Sequence, residues 1–276
     1  MATASERHGI SWGDRLLDLQ LPRPRTGTLL LLEQERREMM PLVHGMVCDE
    51  LAEGRPVHWI DGGMRFDPSD ILSLLLWRDC PGDAMDRLHA CRGFTAHQTA
   101  AIVERLAAEA TEESPPERLS GGRLVVASDL ARMFADPQIN RAEGRALLRK
   151  TLEGLRTTAE TSDSLVVITT RRRTSPILPK ALRANLEHAA DDCLRAFRAG
   201  RGVRRGGRST SLLHLASIGL TVPWAELAEG QTSLLEFRPH AHIVSEVCTD
   251  LPPLIPSSDQ PNGARSAVAA RMARGS

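Results

Sequence analysis

Short apolar runs recur along the first two thirds of the chain, separated by stretches whose apolar residues fall three and four positions apart. Continuous apolar runs suit strands buried on both faces, and the intervening periodicity suits crossover helices, so the alternation predicts an α/β sheet of mostly parallel strands. The predicted strands are Thr28–Leu32, Val57–Asp61, Arg87–Arg92, Arg123–Ala127 and Ser164–Thr170. Helices are expected over Gln34–Glu53 despite Pro41, over Asp67–Trp77 from an Asp-Pro start, and over Thr95–Ala110 with Thr95 as N-cap. A fourth spans Asn140–Thr158, where Leu147, Leu148, Leu152 and Leu155 share one stripe. After Thr170 the pattern changes to shorter β-like segments, Cys193–Arg198, Ser209–Ala216 and Gln231–Phe237, the first two joined by the Arg-Gly turn Ala199–Gly207. These predict an antiparallel extension at one edge of the sheet.

Composition narrows the picture. A chain of 276 residues with 41% hydrophobic content suits a globular protein with one core. We expect an N-terminal extension over residues 1–25, a core domain over 26–250, and a disordered tail over 251–276, which is rich in Pro, Ser, Ala and Arg. No long uncharged apolar run occurs and the first residues carry charges, so no membrane span and a cytoplasmic location are expected. Five scattered cysteines, never paired as C-x-x-C, fit reduced thiols. His240, His242 and Cys248 have a spacing that fits a solvated strand end better than a metal site, so no metal is expected. No G-x-S-x-G nucleophile elbow is present.

The net charge of zero conceals an asymmetry. Between Arg171 and Arg208 stand eleven basic residues against three acidic ones, a net of +8. Such a block is an electrostatic footprint for phosphates, a match for an acidic partner surface, or a solvated basic loop. The candidate DNA-contacting residues are Arg171, Arg172, Arg173, Arg201, Arg204, Arg205 and Arg208. Guanidiniums grouped in this way bind phosphates in a bidentate, sequence-independent manner. Aromatic content is 3% with no tyrosine, and only Phe197 lies in the basic region, which argues against reading of bases.

Three collinear stretches resemble the core of the RecA/RadA recombinases and their paralogues. Val57–Leu72, VHWIDGGMRFDPSDIL, is similar to the family's I-D-T-E-G-T-F-R-P-E-R strand and turn through Ile60, Asp61, Phe66 and Pro68. His89–Leu106 resembles the A-R-A-F-N-x-D-H-Q junction through Arg92, Phe94, His97 and Gln98. Arg123–Thr170 looks like the Walker B strand, long helix and following strand, ending in VVITT. His188–Arg205 is a weaker match to the family's R-L-Y-L-R-K-G-R-G hairpin, and the resemblance covers about Thr26 to Phe237. The IDGG form is closer to prokaryotic RadA-like paralogues than to the recombinase. The resemblance implies a RecA-like core of the P-loop-NTPase type, with a mostly parallel central sheet flanked by helices.

It also marks what this chain has lost. No G-x-x-x-x-G-K-[ST] loop exists, and neither Lys150 nor Lys180 follows a glycine. After the first strand stand Glu33-Gln34-Glu35-Arg36-Arg37-Glu38, whose carboxylates repel a triphosphate. The family's water-orienting glutamate corresponds to Gly63, and its Walker B aspartate to Ala127. Asp129, two residues on, would point to the same side if the strand continued. Gly63, Ala127 and Asp129 are thus vestigial positions; no cofactor and no ATP hydrolysis are expected. Asp61 is read as capping a turn, and His97 and Gln98 as capping and packing residues.

The resemblance together with the basic block implies a non-hydrolysing RecA/RadA-like paralogue that binds DNA, single- or double-stranded, or a recombinase, and modulates recombination or repair. The alternative is a scaffold or regulatory subunit paired with an active sibling ATPase without contacting DNA. A third reading is an enzyme with an unrecognised nucleotide site.

Overall fold

A computed structural model describes residues 9–35, 37–112, 124–172, 178–198 and 210–225. Its centre is β1 (Thr28–Gln34), whose apolar run Leu29–Leu32 is almost wholly hidden because both faces of the strand are covered. Leu30 and Leu32 face one layer, while Leu29 and Leu31 face the other. The strand is flanked by β5 (Leu165–Arg171) and β6 (Asp192–Arg198), both parallel to it. Beyond β5 lie β4 (Leu124–Ser128), β2 (Val57–Asp61) and β3 (Leu88–Arg92); beyond β6 lie β7 (Thr210–Leu215) and β8 (Leu220–Ala225). The eight-stranded order is β3-β2-β4-β5-β1-β6-β7-β8, and only the β6-β7 and β7-β8 pairs are antiparallel. The protein is thus a mixed α/β fold with a mostly parallel sheet and an antiparallel edge.

One face of the sheet is covered by α4 (Ala96–Ala110), the short α5 (Ala131–Phe134), α6 (Arg141–Thr161) and α7 (Lys180–Ala189). The stripe expected on α6 is there: Leu148, Leu152 and Leu155 are buried and Leu147 packs against them. The opposite face takes α1 (Arg15–Gln20), α2 (Met40–Ala52) and α3 (Pro68–Trp77). Thr95 caps α4, Asp67 caps α3 and Asn140 caps α6, each side chain accepting from a backbone N–H of the first turn.

The segment before β1 packs on this second face through Ile10, Trp12, Leu17 and Leu21. Asp14 caps α1 and also accepts from Trp224 Nε1 on β8 at 2.9 Å. Gly13, at φ +73°, lies so close to α2 that a Cβ there would sit 2.1 Å from the backbone nitrogen of Met46.

Several elements differ from the sequence-based expectation. The helix predicted from Gln34 starts only at Met40, because β1 continues to Gln34 and the amide oxygen of Gln34 accepts from Met39 N in the intervening turn. Pro41 therefore sits in the first helical turn, where a missing N–H costs nothing. Arg87 belongs to a 3-10 turn rather than to β3. The segment expected to open the antiparallel extension, β6, does pair antiparallel with β7, but on its other side it pairs parallel with β1 and so also belongs to the parallel sheet. The neighbour of β7 is β8, which was not predicted; the expected strand Gln231–Phe237, the Arg-Gly turn and the tail lie outside the described residues. Among the described residues no helix is long and apolar enough to cross a membrane.

Candidate functional site

The parallel strands all end on one side of the sheet, where α/β proteins place their ligand sites. Three polar groups gather there: Asp61 at the end of β2, Asp129 after β4, and Glu33 near the end of β1.

Asp61 is 2% exposed. One carboxylate oxygen accepts from Gly63 N at 3.1 Å and Arg65 N at 3.3 Å; the other accepts from Phe66 N at 3.0 Å and Arg92 Nε at 2.9 Å. The Ser128 hydroxyl adds a contact at 3.3 Å. The aspartate therefore organises the turn into α3 and ties it to β3 and β4, as the capping interpretation of the sequence has it. Gln98 also acts locally, accepting from Phe94 N at 2.9 Å, while His97 meets Glu143 at 3.1 Å on the surface.

Ala127 is fully buried and faces the layer of α4 to α7. The strand does not continue to Asp129: β4 ends at Ser128 and Asp129 adopts φ +48°. Its N–H donates to Thr169 Oγ1 at 2.9 Å, and its carboxylate pairs with Arg171 Nε at 2.8 Å, both side chains nearly enclosed. The expectation of a strand-borne carboxylate is thus corrected: the chain turns here, and the aspartate is engaged with Arg171. Gly63 packs directly on Asp129, since a Cβ at 63 would lie 2.8 Å from Asp129 Cβ and 2.9 Å from its Oδ2. Arg132 closes the arrangement by donating to Gly63 O at 3.3 Å. The depression among Gln34, His44, Trp59, Asp61 and Asp129 has room for about one water. His44 at its wall is held below the ordinary histidine value by burial, and its ring lies 5.7 Å from that of Trp59.

Glu33 is the third group. It lies on the α7 face of β1, 3% exposed at the side chain, and gathers three arginines from separate elements. Arg172 after β5 and Arg195 on β6 donate to the same oxygen, at 2.9 and 3.0 Å, and Arg183 on α7 approaches the other at 3.6 Å. Glu33 and Arg195 are direct partners in the β1-β6 register. Each guanidinium is about 30% exposed, and that of Arg172 lies 4.8 Å over the Phe197 ring. Burial presses the Glu33 carboxyl upward, but the Arg172 hydrogen bond and the three cationic charges outweigh it and hold it below the ordinary glutamate value. A depressed folded-state value contributes stability that is complete above the unfolded value and is lost as pH falls through the folded one. Thermal unfolding followed from pH 7 to pH 3 should therefore show a steeper acid loss for the wild type than for Glu33→Gln; parallel curves would rule this contribution out.

Of the residues singled out for DNA, Arg171 and Arg172 are both at this edge and both in internal ion pairs. Arg173, Arg201, Arg204, Arg205 and Arg208 lie outside the described residues, as do His240, His242 and Cys248. Arg183, Arg195 and Glu33 were not recognised as a group. A carboxylate at the end of a buried apolar strand demands a cationic partner, and that was the available signal. Among the described residues no cluster of histidine, cysteine or carboxylates could hold a metal ion. Burial pushes the thiols of Cys48 and Cys193 up to about 12 and about 11, so both stay protonated at neutral pH.

A scan of the chain against protein-family models and a search of curated proteins found no match. The fold and the site together define a class: an α/β protein with a mostly parallel sheet, whose C-terminal edge is occupied by interlocked carboxylate-arginine pairs.

Proposed function

We propose that this chain is a non-hydrolysing RecA/RadA-like paralogue that binds nucleic acid through the arginine-rich edge of its sheet and so modulates recombination or repair. The carrying observation is topological. β5 ends at Arg171 and β6 at Arg198 on the same edge, separated only by β1. The segment after β5 carries Arg172 and Arg173, and the segment joining β6 to β7 carries Arg201, Arg204, Arg205 and Arg208. The two strand ends that lead into these arginine-rich stretches therefore stand one strand apart, next to Arg183 and Arg195. A sequence this rich in guanidiniums suits a polyphosphate backbone. The absence of hydrolysis rests on Gly63, Ala127 and the missing phosphate loop, together with the commitment of Asp129 to Arg171.

The test is fluorescence anisotropy with labelled single- and double-stranded oligonucleotides between 50 and 200 mM salt. Affinity should fall linearly on a log-log scale, and replacing Arg201, Arg204, Arg205 and Arg208 together with alanine should reduce the slope by about one per lost phosphate contact. A chain that retains neither oligonucleotide at the lowest salt overturns this reading. The alternative, a protein-binding subunit for a recombinase or sibling ATPase, is favoured by the exposed apolar face of α3, where Leu76 is 70% exposed beside Leu72 and Trp77. Co-purification with such an ATPase after nuclease treatment, without oligonucleotide binding, would establish it instead.

A further inference from the structure

The arginine cluster around Glu33 has more cationic charge than its carboxylate needs. One guanidinium suffices to pair a buried glutamate, yet three converge on it, and their mutual repulsion is unfavourable unless further anionic charge arrives. Glu187 offers Arg195 a second carboxylate, but at 3.5 Å and from the half-exposed surface of α7. Arg183, 31% exposed, stands 3.6 Å from Glu33, beyond hydrogen-bonding distance, so its planar donor face is not committed to that oxygen. Arg172 and Arg195 share a single oxygen of Glu33.

Phe197 completes the arrangement. It is two residues beyond Arg195 on β6, so the two side chains project from the same face of the strand about 7 Å apart. The residue is 37% exposed, unusual for a phenylalanine flanked by a buried strand interior. The guanidinium of Arg172 lies over its ring. Cationic groups beside an accessible aromatic ring are what single-stranded nucleic acids use: phosphate on arginine, unpaired base on the ring. A duplex keeps its bases stacked and has no use for the phenylalanine.

Resting on the function proposed above, we propose that Arg183, Arg195 and Phe197 form a subsite for one unpaired nucleotide of a single-stranded nucleic acid, and that Glu33 is the internal carboxylate its phosphate displaces. Glu33 then acts as a built-in competitor. It neutralises part of the cluster's charge and keeps it ordered in the free protein, and it lowers the affinity for any anion that cannot contribute more than a carboxylate does. The stacked base supplies that difference, so the site discriminates single strands from duplexes.

The experiment uses the full chain and fluorescein-labelled oligothymidylate, with a duplex of equal length as reference. Glu33→Gln removes the competitor and should tighten single-strand binding about tenfold. Arg183→Ala should weaken it and lower the log-log salt slope by about one. Phe197→Leu should weaken single-strand binding about tenfold while leaving the duplex unchanged. Should Glu33→Gln fail to fold, as judged by circular dichroism, the Arg183 and Phe197 variants decide, because both side chains are partly exposed. Binding by the wild type that these two variants leave unchanged overturns the subsite alone, as does a Phe197→Leu loss that is equal for single strand and duplex. Equal competition by polyglutamate, insensitive to Phe197, overturns it in favour of an acidic protein partner. A wild-type chain that binds neither oligonucleotide overturns the functional reading, and the subsite with it.

Discussion

Asp61→Ala is expected to cost about 4 kcal/mol of unfolding free energy, measured by urea denaturation with the denaturant slope unchanged. The size follows from what the carboxylate holds. Its oxygens accept from three backbone N–H groups, one arginine and one hydroxyl, in a place that is 2% exposed. Truncation leaves the Gly63, Arg65 and Phe66 N–H groups and the Ser128 hydroxyl without their acceptor, at about 1–3 kcal/mol for each that water cannot reach, while Arg92, 38% exposed, is rehydrated at little cost. Asp61→Asn keeps the shape but turns one acceptor into a donor facing donors, so about half of the loss should remain. A variant within 1 kcal/mol of wild type would mean that the turn finds other partners and that Asp61 is not its organiser.

The second large effect concerns Gly63. Reinstating the glutamate that the recombinase resemblance implies at this position should not recover a catalyst. Its Cβ would fall 2.8 Å from Asp129 Cβ and 2.9 Å from Oδ2, and Asp129 cannot swing aside while Arg171 and Thr169 hold it. Gly63→Glu is therefore expected to destabilise by about 3 kcal/mol through overpacking and the approach of a second carboxylate, with no phosphate release above the buffer blank. Gly63→Ala isolates the steric part and should account for at least half of the loss. A stable Gly63→Glu protein that hydrolyses ATP would refute both this packing account and the reading that the rest of the nucleotide site is lost.

These two positions explain each other. Asp61 shapes the turn that carries Gly63, and Gly63 lets that turn rest on Asp129. Asp129, in turn, anchors Arg171 at the end of β5, one residue from the Arg172 that reaches Glu33. The C-terminal edge is thus a chain of carboxylate-arginine locks running from β2 across β4 and β5 to β1 and β6. Arg171 is nearly enclosed, whereas Arg92 at the β3 end and Arg172, Arg183 and Arg195 at the β1-β6 end keep part of their guanidinium surface exposed.

Much of the architecture was legible in the linear chain. Leu29–Leu32, Leu124–Ala127 and Leu165–Ile168 are apolar without interruption, and only strands covered on both faces use such runs, so their burial followed from composition. Thr95, Asp67 and Asn140 announced helix starts because capping is a local matter of a side-chain oxygen and an N–H two or three residues on. Local signals failed where a distant partner intervened. Gln34 to Met39 resembled a helix, yet pairing of Gln34 with Arg171 draws those residues into strand and turn. The antiparallel pairing of β6 with β7 was legible from the hairpin pattern, whereas its parallel pairing with β1 joins residues more than 150 positions apart, such as Glu33 and Arg195, and left no local signal.

The site divides along the same line. Residue identity and order alone establish that no G-x-x-x-x-G-K-[ST] motif occurs and that basic charge is concentrated between Arg171 and Arg208. That Arg171 belongs to Asp129, and that Glu33 collects Arg172, Arg183 and Arg195 from three places in the fold, emerges from the folded sheet alone. The reason is physical: a charge run has no direction until the sheet orders its strands. Ion pairs form across the strand order β4-β5-β1-β6, which brings together side chains that no periodicity along the chain connects.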